Sequence, residues 1–303
     1  MAELELQQRK TLNPGAYIKL IRPKQWVKNL FVFAPLVFAK ELFELDVVVI
    51  SLRAFAAFSL TASAVYIIND MLDVEADRTH PKKKFRPLAA GTMSMVEAYI
   101  LLAVLLLCTG LLVHDMDRRF ILIVCLYFVM NLAYSIKLKQ VVLLDVFIIA
   151  AGFMMRVVSG AYAISVETST WLVLCTLFIS LFLGFAKRRT ELVQVPDATF
   201  SERKVLERYR VGFIDQMLTI AAAGTVISYA LYTVAPRTLD VFKTDKLIYT
   251  TVFVIYGIFR YLYLIHTTNS TDKPADVVTS DLPILGTALL WIVSCVALIY
   301  FKL

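Results

Sequence analysis

The chain has 303 residues, of which 59% are apolar and 18% charged, and its mean hydropathy is +0.72. That balance excludes an ordinary water-soluble globular domain, in which about half the residues are apolar and about a quarter charged. The 31 Lys and Arg against 24 Asp and Glu give a net charge of +7, which in so apolar a chain reads as anchoring on one side of a membrane rather than as a nucleic-acid surface.

Crossing the hydrocarbon of a bilayer takes roughly 20 apolar residues of helix. Apolar runs fall in succession at 26–42, 47–68, 93–113, 119–136, 141–164, 171–186, 213–235, 246–265 and 283–301. The expected fold is therefore an all-α integral membrane protein with nine transmembrane helices in a single domain, 1–303. The first run is short and interrupted by Pro35. Residues 1–25 form a polar arm with Arg9, Lys10, Lys19, Arg22 and Lys24 and no apolar stretch of a cleavable signal, so the arm is expected to stay on the protein.

Most Lys and Arg concentrate in that arm and in the connections 69–92, 137–140 and 187–212, whereas HDMDRR, SVETST and APRTLDVFKTDK on the other side are brief. The asymmetry puts the N-terminus and the loops 69–92 and 187–212 in the cytoplasm of a cell whose inner membrane the chain crosses many times. Cys108, Cys125, Cys175 and Cys295 each lie within an apolar run and read as small buried side chains. His80, His114 and His266 lack metal-site spacing.

Chemistry concentrates where the second run ends. If the helix continues past Ile68, Asn69, Asp73 and Asp77 recur every four residues and drift only about 40° per step, making one acidic stripe beside Asp70. Like charges on one face call for a cation. Oxygen ligands without Cys or His favour Mg2+, which takes one or two carboxylates while phosphate and water fill the other positions. A diphosphate-bearing substrate is the natural partner. A merely solvated helix end does not account for acids on the side where Lys and Arg are expected. The loop that follows carries Arg78, Lys82, Lys83, Lys84 and Arg86. Membrane anchoring explains part of the lysine run, so Arg78 and Arg86 are the better candidates for gripping a polyphosphate.

Later elements add further cations. Arg156 lies mid-span, where an unpaired charge costs at least ~2.5 kcal/mol, so it needs a partner: a phosphate, or Asp145 in the same run. Arg260 is also within a span and has Asp281 or substrate as its options. Lys187-Arg188-Arg189-Thr190-Glu191-Leu192 follows the sixth run, and the segment 269–281 reads as a solvated connector.

Residues 69–77 resemble the NDxxDxxxD motif of the UbiA superfamily of intramembrane prenyltransferases, followed here by DRxHPxxxxRPLAAG, and the resemblance extends over nearly the whole chain. It implies a Mg2+-diphosphate site on Asn69, Asp70, Asp73 and Asp77, with Asn69, Asp73 and Asp77 on the metal and Asp73 and Asp77 essential to catalysis. Typical members carry a second acidic motif after the sixth helix, which Lys187–Leu192 replaces with cations. With the segments 22–29 (RPKQWVKN), 134–139 (YSIKLK) and 152–156 (GFMMR), this departure is similar to one branch of the superfamily, the decaprenyl-phosphate phosphoribosyltransferases. What the branch implies is transfer of 5-phosphoribose from phosphoribosyl diphosphate (PRPP) to a polyprenyl phosphate, toward the lipid-linked precursor of cell-wall arabinan. Lys24, Lys28, Asn29, Arg78, Arg86, Tyr134, Lys137, Arg156, Lys187, Arg188 and Glu191 would join Asn69 and Asp70 in binding substrate. It also implies a homo-oligomer, such as a trimer. Two other readings stay open: a prenyltransferase acting on an aromatic acceptor, and a transporter.

Overall fold

The computed structural model describes residues 14–194, 205–267 and 280–301, and all regular structure among them is helical. Most of the connector 269–281 and part of the loop 187–212 lie outside the described residues. Eight helices are long and apolar enough to cross a membrane. They are α3 (Leu45–Leu72), α5 (Met95–Val113), α6 (Arg118–Ile136), α7 (Leu144–Ala163), α8 (Thr170–Gln194), α9 (Val211–Val234), α11 (Thr251–Thr267, extended by a 3-10 turn from Lys246) and α12 (Leu282–Tyr300). Short helices α1 (Pro14–Ile21), α2 (Ala34–Phe38), α4 (Val74–Thr79) and α10 (Pro236–Phe242) flank them.

The ninth expected span, 26–42, differs: Pro23–Phe33 is a 3-10 helix and only Ala34–Phe38 is α-helical. Three residues per turn put Trp26, Asn29 and Val32 on one face. Trp26 donates to Ser63 and Asn29 to Ser59, both at 3.0 Å, while Arg22 bonds Asp70. Seven residues from Arg22 to Asn29 thus pass eleven of α3, from Asp70 to Ser59. Eleven α-helical residues cover about 16 Å, an advance closer to the ~2.0 Å per residue of a 3-10 helix than to that of an α-helix.

The chain divides into two compact units, one of 1–30 with 52–136 and the other of 31–51 with 137–303. In the first, α1 lays Ala16 and Leu20 against Ala64 and Ile67 of α3 and Ala98 and Leu105 of α5. Ser94 caps α5 in a reciprocal pair with Glu97, which satisfies amide groups that a helix start leaves orphaned. Phe58 meets Phe120 and Tyr127 of α6 edge-on or tilted.

In the second unit, α7, α8 and α9 bury a core that includes Val146, Ala150, Phe182, Phe185, Ile214 and Leu218. Gly160 of α7 is fixed by contact: a Cβ there would come within 2.0 Å of the Val32 carbonyl oxygen, so only glycine lets that backbone approach. Trp291 of α12 donates to Tyr229 of α9, itself bonded to Thr250. The cysteines depart from the expectation of uniform burial. Cys295 is buried, Cys108 and Cys175 are half-buried and Cys125 is exposed, on a helix whose outer apolar face is left for lipid rather than for a protein core.

Candidate active site

Helix α3 carries the acidic segment to its end. The backbone bends at Asp73 (φ −95°, ψ 5°) before α4, yet the Asp73 amide still donates to the Asn69 carbonyl (3.0 Å) and that of Asp77 to the Asp73 carbonyl (2.8 Å). The expected i, i+4, i+8 stripe is therefore kept across the bend. Asn69 Nδ2 donates to Asp73 Oδ2 at 3.1 Å.

Asp70 and Asp77 are almost wholly buried, at 2% and 3% exposure. A buried carboxylate is tolerated when it is paired and hydrogen-bonded, and guanidinium groups serve both. Arg86 Nη1 lies 3.0 Å from Asp70 and 2.7 Å from Asp77, and Arg22 Nη2 lies 2.5 Å from Asp70. Arg86 is brought there by a tight turn in which His80 Nδ1 accepts from the amides of Lys82 and Lys83 and which closes at Gly91, with φ +68°. Arg22, ending α1, adopts φ +56°. That backbone costs about 1–2 kcal/mol for a residue with a Cβ, offset by Asp70 and by the Tyr66 ring 5.1 Å beneath its guanidinium.

Arg78 is not part of this cluster. One residue beyond Asp77, it points about 100° around the helix and pairs with exposed Glu75 at 2.8 Å.

The oxygen donors fit Mg2+. Asn69 and Asp73 touch each other and Asp77 follows one turn on. Among the described residues no group of three His, Cys, Asp or Glu converges to hold a metal ion, and Mg2+ ordinarily takes one or two carboxylates, with substrate phosphate and water filling the other positions.

In the second unit α8 runs on through Gln194, so Lys187–Glu191 belong to a helix rather than to a loop. Arg188 is completely buried, with Nε 2.7 Å from Asp145 Oδ2 and Nη1 bonded to Glu191. Asp145 also accepts from the Tyr209 hydroxyl at 2.7 Å, and that hydroxyl accepts from the Leu143 amide at 2.7 Å. Burial, then the bond to Asp145, pushes the Tyr209 phenol well above its ordinary pKa. Arg188 is thus engaged by the carboxylate that the sequence offered to Arg156. Arg156, also buried, instead donates to the Gly152 carbonyl at 2.7 Å and lies 5.3 Å over the Phe153 ring. Arg189 bonds Asp215 and the Ile265 carbonyl. Lys187 extends to within 3.9 Å of Glu191 with about half its side chain exposed. For Arg260 the choice falls on Asp281, at 2.9 Å.

The other predicted binding residues are spread out. Lys24, Lys28 and Lys137 are exposed, Tyr134 is half-buried near the end of α6, and Asn29 is buried against Ser59. Sequence reasoning missed Arg22 and Tyr209. Arg22 stood in the RPKQW segment as its first residue, whereas Tyr209 carried no local signal.

A family model described as the UbiA prenyltransferase family matches residues 30–280. The decaprenyl-phosphate phosphoribosyltransferase of Mycolicibacterium smegmatis is 33% identical over 296 residues, covering 94% of this chain and 92% of that protein. Its counterpart of the same name in Corynebacterium glutamicum is 34% identical over 290 residues, covering 93% and 86%. Among solved structures, a UbiA homolog from Archaeoglobus fulgidus bound to DMAPP and Mg2+ superposes with a TM-score of 0.68 at 19% identity, covering 93% of this chain and 98% of that one. That likeness is one of fold.

Proposed function

The chain belongs to the UbiA prenyltransferase family, and from that premise we propose that it is a Mg2+-dependent transferase moving 5-phosphoribose from PRPP to a polyprenyl phosphate such as decaprenyl phosphate. The observation that carries this reading is the likeness, over more than nine-tenths of the chain, to two phosphoribosyltransferases, with the acidic stripe complete and cations at 187–189. The product would be a precursor for cell-wall arabinan.

In this reading Asn69, Asp73 and Asp77 would hold Mg2+, whose positive charge would offset that of the diphosphate leaving group. Arg86, now shared between Asp70 and Asp77, turns one of its remaining N–H groups to the departing diphosphate. Lys187 and Arg156 bind phosphate oxygens, whereas Arg188 acts from inside, fixing the turn of α8 that carries Lys187 and Glu191. The acceptor phosphate is anionic at neutral pH and attacks C1 from the face opposite the diphosphate, so the configuration inverts. No general base is required, and positioning and charge supply the catalysis.

The stripe faces the cytoplasm, as does the N-terminus, in a chain of the inner membrane. The 3-10 segment and α2 provide a ninth crossing: eleven residues at ~2.0 Å and five at ~1.5 Å make about 30 Å, the thickness of the hydrocarbon. Assembly into a homo-oligomer such as a trimer belongs to the same reading.

Incubating the purified protein with Mg2+ and either PRPP plus decaprenyl phosphate or a prenyl diphosphate plus 4-hydroxybenzoate tests the proposal. Phosphoribosyl lipid from the first pair supports it. Product from the second pair alone overturns it in favour of a conventional prenyltransferase.

A further inference from the structure

Within the first unit a pocket of about 250 Å3 opens beside the acidic stripe, lined by Lys19, Arg22, Lys82, Arg86 and buried Asp70. Four cations face one carboxylate there, and even when Asp77, which shares Arg86, is counted the pocket keeps two positive charges in excess. Arg22 engages Asp70 through Nη2 and Arg86 engages both its carboxylates through Nη1. Each guanidinium has five N–H donors in a fixed fork, so most of that donor capacity is not spent on the carboxylates. Lys19 and Lys82, exposed at the rim, are placed to close on an anion.

An excess of two positive charges matches a phosphate monoester, which carries about −1.5 to −2 at neutral pH. Guanidinium forks suit its oxygens better than they suit a single-point anion. We infer that this pocket binds the 5-phosphate of PRPP and makes the protein specific for a phosphorylated pentose donor. The inference rests on the proposed function and adds the subsite by which the donor is chosen. The alternative source of the same chemistry is the phosphate of the lipid acceptor. Arg86 favours the donor, because one side chain lines the pocket and also bonds Asp77 of the stripe assigned to the diphosphate. PRPP is the substrate that carries a diphosphate and a monophosphate on one ribose.

The test is the Lys19→Ala/Lys82→Ala double variant, which removes two exposed side chains and leaves the buried Arg22–Asp70–Arg86 cluster in place. It is compared with wild type on PRPP, on ribosyl 1-diphosphate without the 5-phosphate, and on decaprenyl phosphate. The inference predicts that KM for PRPP rises about tenfold or more, as for loss of charge-assisted bonds. KM for decaprenyl phosphate should stay unchanged, and the wild-type preference for PRPP over ribosyl 1-diphosphate should shrink by the same factor. A rise in KM for decaprenyl phosphate instead assigns the pocket to the lipid and overturns the inference, as does a variant that keeps both its KM for PRPP and its preference. A wild-type protein that transfers no phosphoribose overturns the proposed function and this subsite together, whereas an active wild type beside an indifferent variant overturns the subsite alone.

Discussion

Replacing Asp145 by Asn tests whether the buried ion pair holds α8 in place. Asp145 and Arg188 are both fully buried, with 2.7 Å between Oδ2 and Nε, so solvent screening does not discount the interaction. The amide keeps an acceptor for the Tyr209 hydroxyl but removes the charge, leaving Arg188 with Glu191. Breaking one side of a buried pair costs about 3–5 kcal/mol, and the remaining Glu191 contact puts Asp145→Asn near the lower end, at ~3 kcal/mol. At about 2–4 °C per kcal/mol for larger chains, the thermal midpoint in detergent should fall by about 6–12 °C. Fluorescence-detected size exclusion after heating measures it. Asp215→Asn serves as the control, since the Arg189–Asp215 pair is partly exposed and its loss should cost below ~1 kcal/mol. A midpoint for Asp145→Asn no lower than that of Asp215→Asn would refute the reasoning.

Gly160→Ala drives a Cβ to within 2.0 Å of the Val32 carbonyl oxygen, and the backbone shift should cost about 1–3 kcal/mol or more. Gly257→Ala, with open space around it, should leave the stability unchanged or raise it by up to ~1 kcal/mol. Asp73→Ala and Asp77→Ala should each lower kcat by at least ~100-fold while leaving the elution profile of the folded protein intact, and EDTA should abolish turnover of the wild type until Mg2+ is restored. The hydrogen bond from Arg260 holds the Asp281 carboxyl below its ordinary 3.8, so this group's folded pKa is depressed. Its stabilisation is present above about pH 4 and is lost as pH falls through the folded value. Acid unfolding followed by circular dichroism should therefore be less steep below pH ~4 in Asp281→Asn than in wild type.

How much of this was legible in sequence depended on distance along the chain. The acidic stripe could be read because Asn69, Asp73 and Asp77 share a helical period, and the bend at Asp73 did not break it, since the hydrogen bonds continue across it. The arginines that neutralise the stripe come from 48 and 16 residues away along the chain, at Arg22 and Arg86, and only Arg86 stood close enough to be nominated. Asp145 shares a helix with Arg156, which makes the two partners by sequence, but tertiary packing gives Asp145 to Arg188 instead. The helix type of the segment 23–33 was hidden from the sequence for a different reason. An apolar run signals burial without choosing between α and 3-10, and the choice depends on the three-residue spacing of Trp26, Asn29 and Val32 against their neighbours. Charge usually marks the end of a span, so the cations at 187–189 predict a loop, yet α8 carries them inside a continuing helix where buried Asp145 offsets the cost.

Titrating PRPP into the detergent-purified protein by calorimetry tests the central claim most directly. The account predicts saturable binding in Mg2+ that disappears with EDTA and weakens at least ~100-fold in the Asp73→Ala/Asp77→Ala variant. Equal PRPP affinity in that variant, or a wild type that binds a prenyl diphosphate in Mg2+ and ignores PRPP, would contradict it.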